Sequence, residues 1–282
     1  MLFTSKPSYA WQVSNMTGTW VDATFVGTTT PCGTNTKGAW STALLSNTAN
    51  DAYAIAVCMG LGGVAGAAYG YLIDIGVDPA NGTSYQVLIP DLLCSAGSAT
   101  LGGMWWWFPL FIPKGSSVAA RASVNTGTTA IRVGVELYGQ PKKPDNIAVG
   151  SFVRTFNIAT STSFGTTGHT EGASGVQGSY TASVGTTSDR LWFWQAGLAI
   201  NNIAWTKALA HMVDVAVGDA SNKYLVVENM ITTVTDSEKQ ANCQPQQFNY
   251  FDAPSGVNIY VRGRCTGAAL ATAYASVHAV GG

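Results

Sequence analysis

Apolar and polar residues alternate along much of this chain. Within Tyr71–Val77, Tyr71, Ile73, Ile75 and Val77 fall on one face, and Leu72, Asp74 and Gly76 on the other. His211, Val213, Val215 and Val217 repeat the first face, and Met212, Asp214 and Ala216 the second. A period of two belongs to a β-strand. The same reading predicts strands over 52–58, 69–77, 84–90, 104–112, 117–124 and 130–138. No segment keeps a helical period over three turns. Asp78-Pro-Ala-Asn-Gly82 and Gly218-Asp-Ala-Ser-Asn222 read as hairpin loops before Ser84–Ile89 and Lys223–Val227.

The pattern is also duplicated. Phe108–Arg121, FPLFIPKGSSVAAR, returns as Phe248–Arg262, FNYFDAPSGVNIYVR. Phe108 and Phe248 are 140 residues apart, while Pro113 and Pro254, Gly115 and Gly256, and Arg121 and Arg262 are each 141 apart. Each copy reads as an aromatic strand, a Pro-x-Gly turn and a second strand ending at arginine. Proline presets φ for a turn, and glycine accepts positive φ. Gly38-Ala-Trp-Ser and Gly178-Ser-Tyr-Thr share the 140 offset. The expected fold is all-β: two tandem antiparallel β-sandwiches of jelly-roll or Greek-key type. Residues 1–37 form an N-terminal arm or opening strand, 38–139 the first module, 140–147 a linker and 148–282 the second module. The linker, Gln140-Pro-Lys-Lys-Pro-Asp-Asn146, is the densest run of charge and proline in the chain.

The uncharged run Ala52–Ile73 has the length of a membrane span. Its glycines at 60, 62, 63, 66 and 70 weaken any helix, and its duplicate at 191–213 carries Gln195, Asn201, Asn202, Lys207 and His211. Both therefore read as two buried strands around a loop, with no membrane insertion. Charged residues are only 10% of the chain, which suits a surface that lives against neighbours. A net charge of −1 gives no basic footprint for nucleic acid. The cysteines, at 32, 58, 94, 243 and 265, lack CxxC spacing and read as buried free thiols, with a disulfide left open. The N-terminal residues MLFTSKPSYAWQ show no signal-peptide core.

Chemistry is sparse. No GxSxG elbow, P-loop, GxGxxG or zinc spacing occurs, so the expectation is a non-enzyme with no catalytic residues, cofactor or metal. Asp74 and Asp214 are the carboxylates that recur in register. The ordinary reading puts each on the solvent side of its strand or against a neighbouring loop; the alternative is a metal or sugar contact. Arg121 and Arg262 recur at the end of one strand, where a guanidinium clamps a facing strand or a subunit interface. In Trp105-Trp106-Trp107-Phe108 both faces of a strand carry large rings. One face fills a core; the other packs on the second module, another subunit or sugar rings. Trp105, Trp106, Trp107, Arg121 and Arg262 are thus the candidate interface residues. His211, alternating with valines, reads as a core histidine.

The phrases IDIGVDPANG (73–82), VLIPDLL (87–93), FPLFIPKGSSVAAR (108–121) and VGVELYGQPKKP (133–144) resemble accessory structural proteins of tailed bacteriophages, related to tail and head-spike parts. The likeness is dense over 70–145 and fainter over 178–282. It implies a protein built into or onto a virion in many copies, made in the host cytoplasm. Its partners would be other virion proteins and copies of itself. The alternative is a receptor-binding adhesin or spike that recognises a host surface polysaccharide.

Overall fold

In the computed structural model the described residues are 12–13, 28–30, 32–60, 69–96, 104–124, 131–139, 148–156, 175–180, 183–200, 209–234, 245–248, 253–265 and 273–282. The linker 140–147, His169 and Cys243 lie outside them, as do the side chains of His211 and Cys265. In chain order the strands are β1 (Gln12–Val13), β2 (Thr28–Thr30), β3 (Cys32–Thr34), β4 (Ala52–Gly60), β5 (Tyr69–Asp78) and β6 (Gln86–Ala96). There follow β7 (Met104–Phe108), β8 (Ser117–Val124), β9 (Ile131–Gly139), β10 (Phe152–Phe156), β11 (Gly185–Thr186) and β12 (Leu191–Ile200). The chain closes with β13 (Leu209–Gly218), β14 (Lys223–Val234), β15 (Gln246–Phe248), β16 (Asn258–Cys265) and β17 (Ala273–Gly281). No described residue is helical, and no described helix is long and apolar enough to cross a membrane.

The fold is all-β. In the first half one sheet runs β1-β9-β4-β7, with β2 also on β9, and the other runs β3-β8-β5-β6. In the second half the orders are β10-β17-β12-β15 and β11-β16-β13-β14. Matching β4 to β12, β5 to β13, and so on to β9 and β17, reproduces one sheet order from the other. Among the described strands all pairings are antiparallel except that of β3 with β8. Residues of the N-terminal stretch thus contribute strands to both first-half sheets.

Two differences from the sequence expectation concern strand ends. The strand from 104 stops at Phe108, because Pro109 and the bridges at Leu110 and Ile112 turn the chain toward Gly150 and Ala52. The strand expected to end at residue 90 runs on to Ala96. β6 lies at a sheet edge, where Pro90 breaks no ladder bond.

The repeat extends to single hydrogen bonds. Gly115 (φ 86°) and Gly256 (φ 89°) occupy the left-handed region of the Pro-x-Gly turn. Thr48 Oγ1 donates to Pro113 O at 2.9 Å and accepts from Ser116 N at 2.9 Å. Thr187 Oγ1 donates to Pro254 O at 2.7 Å and accepts from Val257 N at 2.9 Å.

Ile55, Val57, Ile73, Ile75, Val118, Ala120, Val133 and Val135 fill the first core. Trp194, Val213, Val215, Ile259, Val261 and Val277 fill the second. Val153, Phe193 and Val280 belong to the second half by sequence but pack into the first core. They lie on one face of β10, β12 and β17, and that face covers the open side of the first sandwich at β6 and β7. Removing these side chains from water favours the contact between the halves.

Candidate functional site

The polar residues that recur in register form one structure, built twice. Asp74 on β5 is cross-strand from Arg121 on β8, and Asp214 on β13 from Arg262 on β16. Arg121 Nε donates to Asp74 Oδ2 at 2.8 Å, and Arg262 Nε to Asp214 Oδ2 at 2.8 Å. Both carboxylates are buried, Asp74 at 3% and Asp214 at 1% exposure, which corrects the solvent-side reading. Alternation places them away from the sandwich interior, but segments 37–40 and 177–180 cover them. Trp40 lies under the Arg121 guanidinium at 4.6 Å, and Tyr180 under that of Arg262 at 4.4 Å. Such stacking adds to the ion pair in a partly desolvated setting.

A β-bulge completes each clamp. The register of β5 with β6 shifts around Ile73–Ile75, and that of β13 with β14 around Val213–Val215. The extra residues, Asp91 (φ 52°) and Asn229 (φ 56°), are left-handed, a conformation Asp and Asn tolerate best among non-glycines. Their amides donate to Asp74 Oδ1 at 2.9 Å and Asp214 Oδ1 at 2.8 Å. The last donor differs. Lys37 Nζ reaches Asp74 Oδ1 at 2.6 Å and Asp91 Oδ1 at 2.8 Å, whereas Gln177 Nε2 reaches Asp214 Oδ2 at 2.8 Å. Where the first copy has lysine with a second aspartate, the other has glutamine with asparagine. Charge balances in each. Both oxygens of each aspartate are held by protein donors, so the clamp's chemistry is structural: it pins a strand, its neighbour and the covering segment.

The tryptophan run meets the second half. Trp106 is fully buried; its Nε1 donates to Leu93 O at 3.1 Å and its ring stands edge-on to His278 at 4.3 Å. Gly197 makes the approach possible, since a Cβ there would lie 2.9 Å from the Trp106 ring. Trp107 packs on Phe193 at 5.5 Å, and its carbonyl accepts a bond from Gln195 Nε2. Trp105, 37% exposed, is the member of the run at the surface. The expectation of one core face and one outer face is too simple: Trp106 and Trp107 point to opposite faces of β7, yet both lie in the first core and both touch the second half. The seam and the clamps are separate places: the structure joins Arg121 and Arg262 to aspartates, not to Trp105, Trp106 or Trp107.

His278 is the seam residue that sequence reasoning passed over. Thr155 Oγ1 donates to Pro90 O at 2.8 Å and so accepts from His278 Nδ1, 3.0 Å away. Burial pushes this imidazole down to about 3. A polar residue recurs there, Glu136 in the first copy, and that recurrence was the available signal. Glu136 accepts from the Tyr138 hydroxyl, whose ionisation burial and this bond both push up.

Cys32, Cys58 and Cys94 are free thiols, and burial raises Cys32 to about 11 and Cys58 to about 12. The thiol form is therefore the stable one, and these are packing groups rather than nucleophiles.

No protein-family model matches this chain, and no curated protein matches it. Among solved structures, the crystal structure of the STIV major capsid protein aligns at TM-score 0.33 and 8% identity, over 89% of this chain and 93% of that one. PNGF-II aligns at TM-score 0.35 and 7% identity, over 92% and 65%. The tandem CBM22-1–CBM22-2 domain of Paenibacillus barcinonensis Xyn10C aligns at TM-score 0.23 and 11% identity, over 83% and 80%. These likenesses are too distant to bear on function.

Proposed function

We propose that this chain is a structural component of a bacteriophage virion, acting by protein–protein assembly rather than by turnover of a substrate. The observation that carries the reading is the use made of the residues retained through duplication. Asp74, Arg121, Asp214 and Arg262 are spent on tying sheet strands to the segments that cover them, and the tryptophans weld one sandwich to the other. What recurs is framework. The resemblance of residues 70–145 to tailed-phage accessory proteins supplies the setting, and the 10% charged content fits a surface shared with neighbours. Apolar side chains remain for such contacts, among them Phe111 at 44% and Val176 at 58% exposure.

The test is co-sedimentation of the purified chain with tailed-phage particles from the same source, followed by particle reconstruction. Saturable binding at repeated, symmetry-related positions is expected. A monomer without affinity for any particle would overturn the proposal.

A further inference from the structure

Three buried polar atoms at the seam have no protein partner among the described residues: Gln195 Oε1, His278 Nε2 and Trp107 Nε1. Gln195 on β12 and His278 on β17 stand directly opposite each other, on the strand faces that carry Phe193 and Val280 into the first core. Neighbouring contacts fix which of their atoms are acceptors. The Trp107 carbonyl can only accept, so the Gln195 amide turns its Nε2 to it and leaves Oε1 without a donor. Thr155 on β10 takes the proton of His278 Nδ1, because its own proton goes to Pro90 O. A neutral imidazole then carries a bare lone pair on Nε2. β17 lies between β10 and β12. With Nδ1 turned toward Thr155 on one side, Nε2, on the opposite edge of the ring, is turned toward Gln195 on the other.

Two acceptors cannot bond to each other, and leaving either one buried without a donor is costly. We propose that a single water molecule is built into the seam here, donating one proton to Gln195 Oε1 and the other to His278 Nε2. Trp107 Nε1 belongs to the ring that packs on Phe193 at 5.5 Å, on the same face of β12 as Gln195, and gives the water's oxygen its donor. About three such bonds are what a buried water ordinarily makes. Crowding selects water over a larger ligand. The Trp106 ring stands 4.3 Å from His278, and a Cβ at Gly197 would lie 2.9 Å from that ring. Gln195 and His278 are themselves 1% and 0% exposed. In the first copy the matching cross-strand pair is Ala56 and Glu136, where the Tyr138 hydroxyl serves the carboxylate directly. The water therefore belongs to the seam and not to the duplicated framework: it ties β12 to β17 and both to β7.

The inference stands apart from the assembly reading and is tested without particles. A crystal structure of the full chain that shows ordered solvent should place a peak at hydrogen-bonding distance from both Gln195 Oε1 and His278 Nε2. In solution, nuclear Overhauser spectroscopy should show a long-lived water beside the His278 ring. Gln195→Met keeps the side-chain volume but not the acceptor, and it should abolish that signal. Where this variant does not fold, the wild-type peak and ring signal decide. No peak, a peak touching one of the two atoms alone, or a direct bond between the two side chains would overturn the water. So would a ring signal unchanged in Gln195→Met. Loss of particle binding would leave the water in place, and loss of the water would leave the assembly reading standing.

Discussion

Arg121 Nε and Asp74 Oδ2 are 2.8 Å apart, and so are Arg262 Nε and Asp214 Oδ2, but the two bonds have different company. Asp74 also holds Lys37, whereas Arg262 is the one cation bonded to Asp214 among the described residues. Removing one partner of a buried pair strands the other charge, at roughly 3–5 kcal/mol in the general case. Arg262→Ala should therefore cost about 3 kcal/mol, and Arg121→Ala only about 1–2 kcal/mol, since Lys37 still holds the buried Asp74 and the uncompensated charge falls on the half-exposed Asp91. Urea unfolding of the two variants measures this. Equal losses, or a greater loss at Arg121, would contradict the assigned roles.

The buried imidazole of His278 gives the seam a pH dependence whose sign is fixed. Its folded value, about 3, lies below the ordinary 6.5, so the unfolded chain binds the extra proton. That contribution is complete above about pH 6.5 and is lost as pH falls from there toward 3, at about 1.4 kcal/mol per unit. Between pH 6.5 and 5, wild type should lose about 2 kcal/mol more stability than His278→Gln, which keeps a donor for Thr155. Parallel stability curves for the two proteins would rule out a neutral, proton-excluding His278.

Gly197 and Trp106 should be coupled. A methyl at 197 would sit 2.9 Å from the indole, so Gly197→Ala should cost about 1–3 kcal/mol by overpacking the seam. Trp106→Phe alone opens a cavity. In the double variant the smaller ring admits the methyl, and a double-mutant cycle should return a favourable coupling of at least about 0.5 kcal/mol. Strict additivity would mean that the two do not touch.

The threonine behind each turn should matter equally. Thr48→Val and Thr187→Val each leave a backbone N–H and a carbonyl without a hydroxyl partner. Each should cost about 2 kcal/mol, within about 0.5 kcal/mol of the other. A large inequality, measured by thermal unfolding, would show that the matching bonds do not carry matching weight.

Much of this fold could be read from the chain because it is written locally. Alternation at Tyr71–Val77 and the Pro-x-Gly turn each involve neighbours in sequence, and duplication states them twice. The clamp was half legible. Asp74, Arg121, Asp214 and Arg262 each recur, but that they meet depends on the β5–β8 and β13–β16 registers, set by strand pairing far apart in sequence. Lys37 and Gln177 share the 140 offset yet differ in charge, which hid their common task. The left-handed Asp91 and Asn229 had no sequence marker, since neither is glycine. At the seam the tryptophan run announced surplus rings. Their partners Phe193, Gly197 and His278 lie in ordinary strand sequence, and only the packing of β12 and β17 on β7 picks them out.

The claim that this chain is a building block is tested most directly by its copy number in purified particles, counted by quantitative mass spectrometry against the coat protein. The account predicts a fixed ratio set by particle symmetry, unchanged through density-gradient repurification. Absence from the particles, or a ratio that falls with every wash, would contradict it.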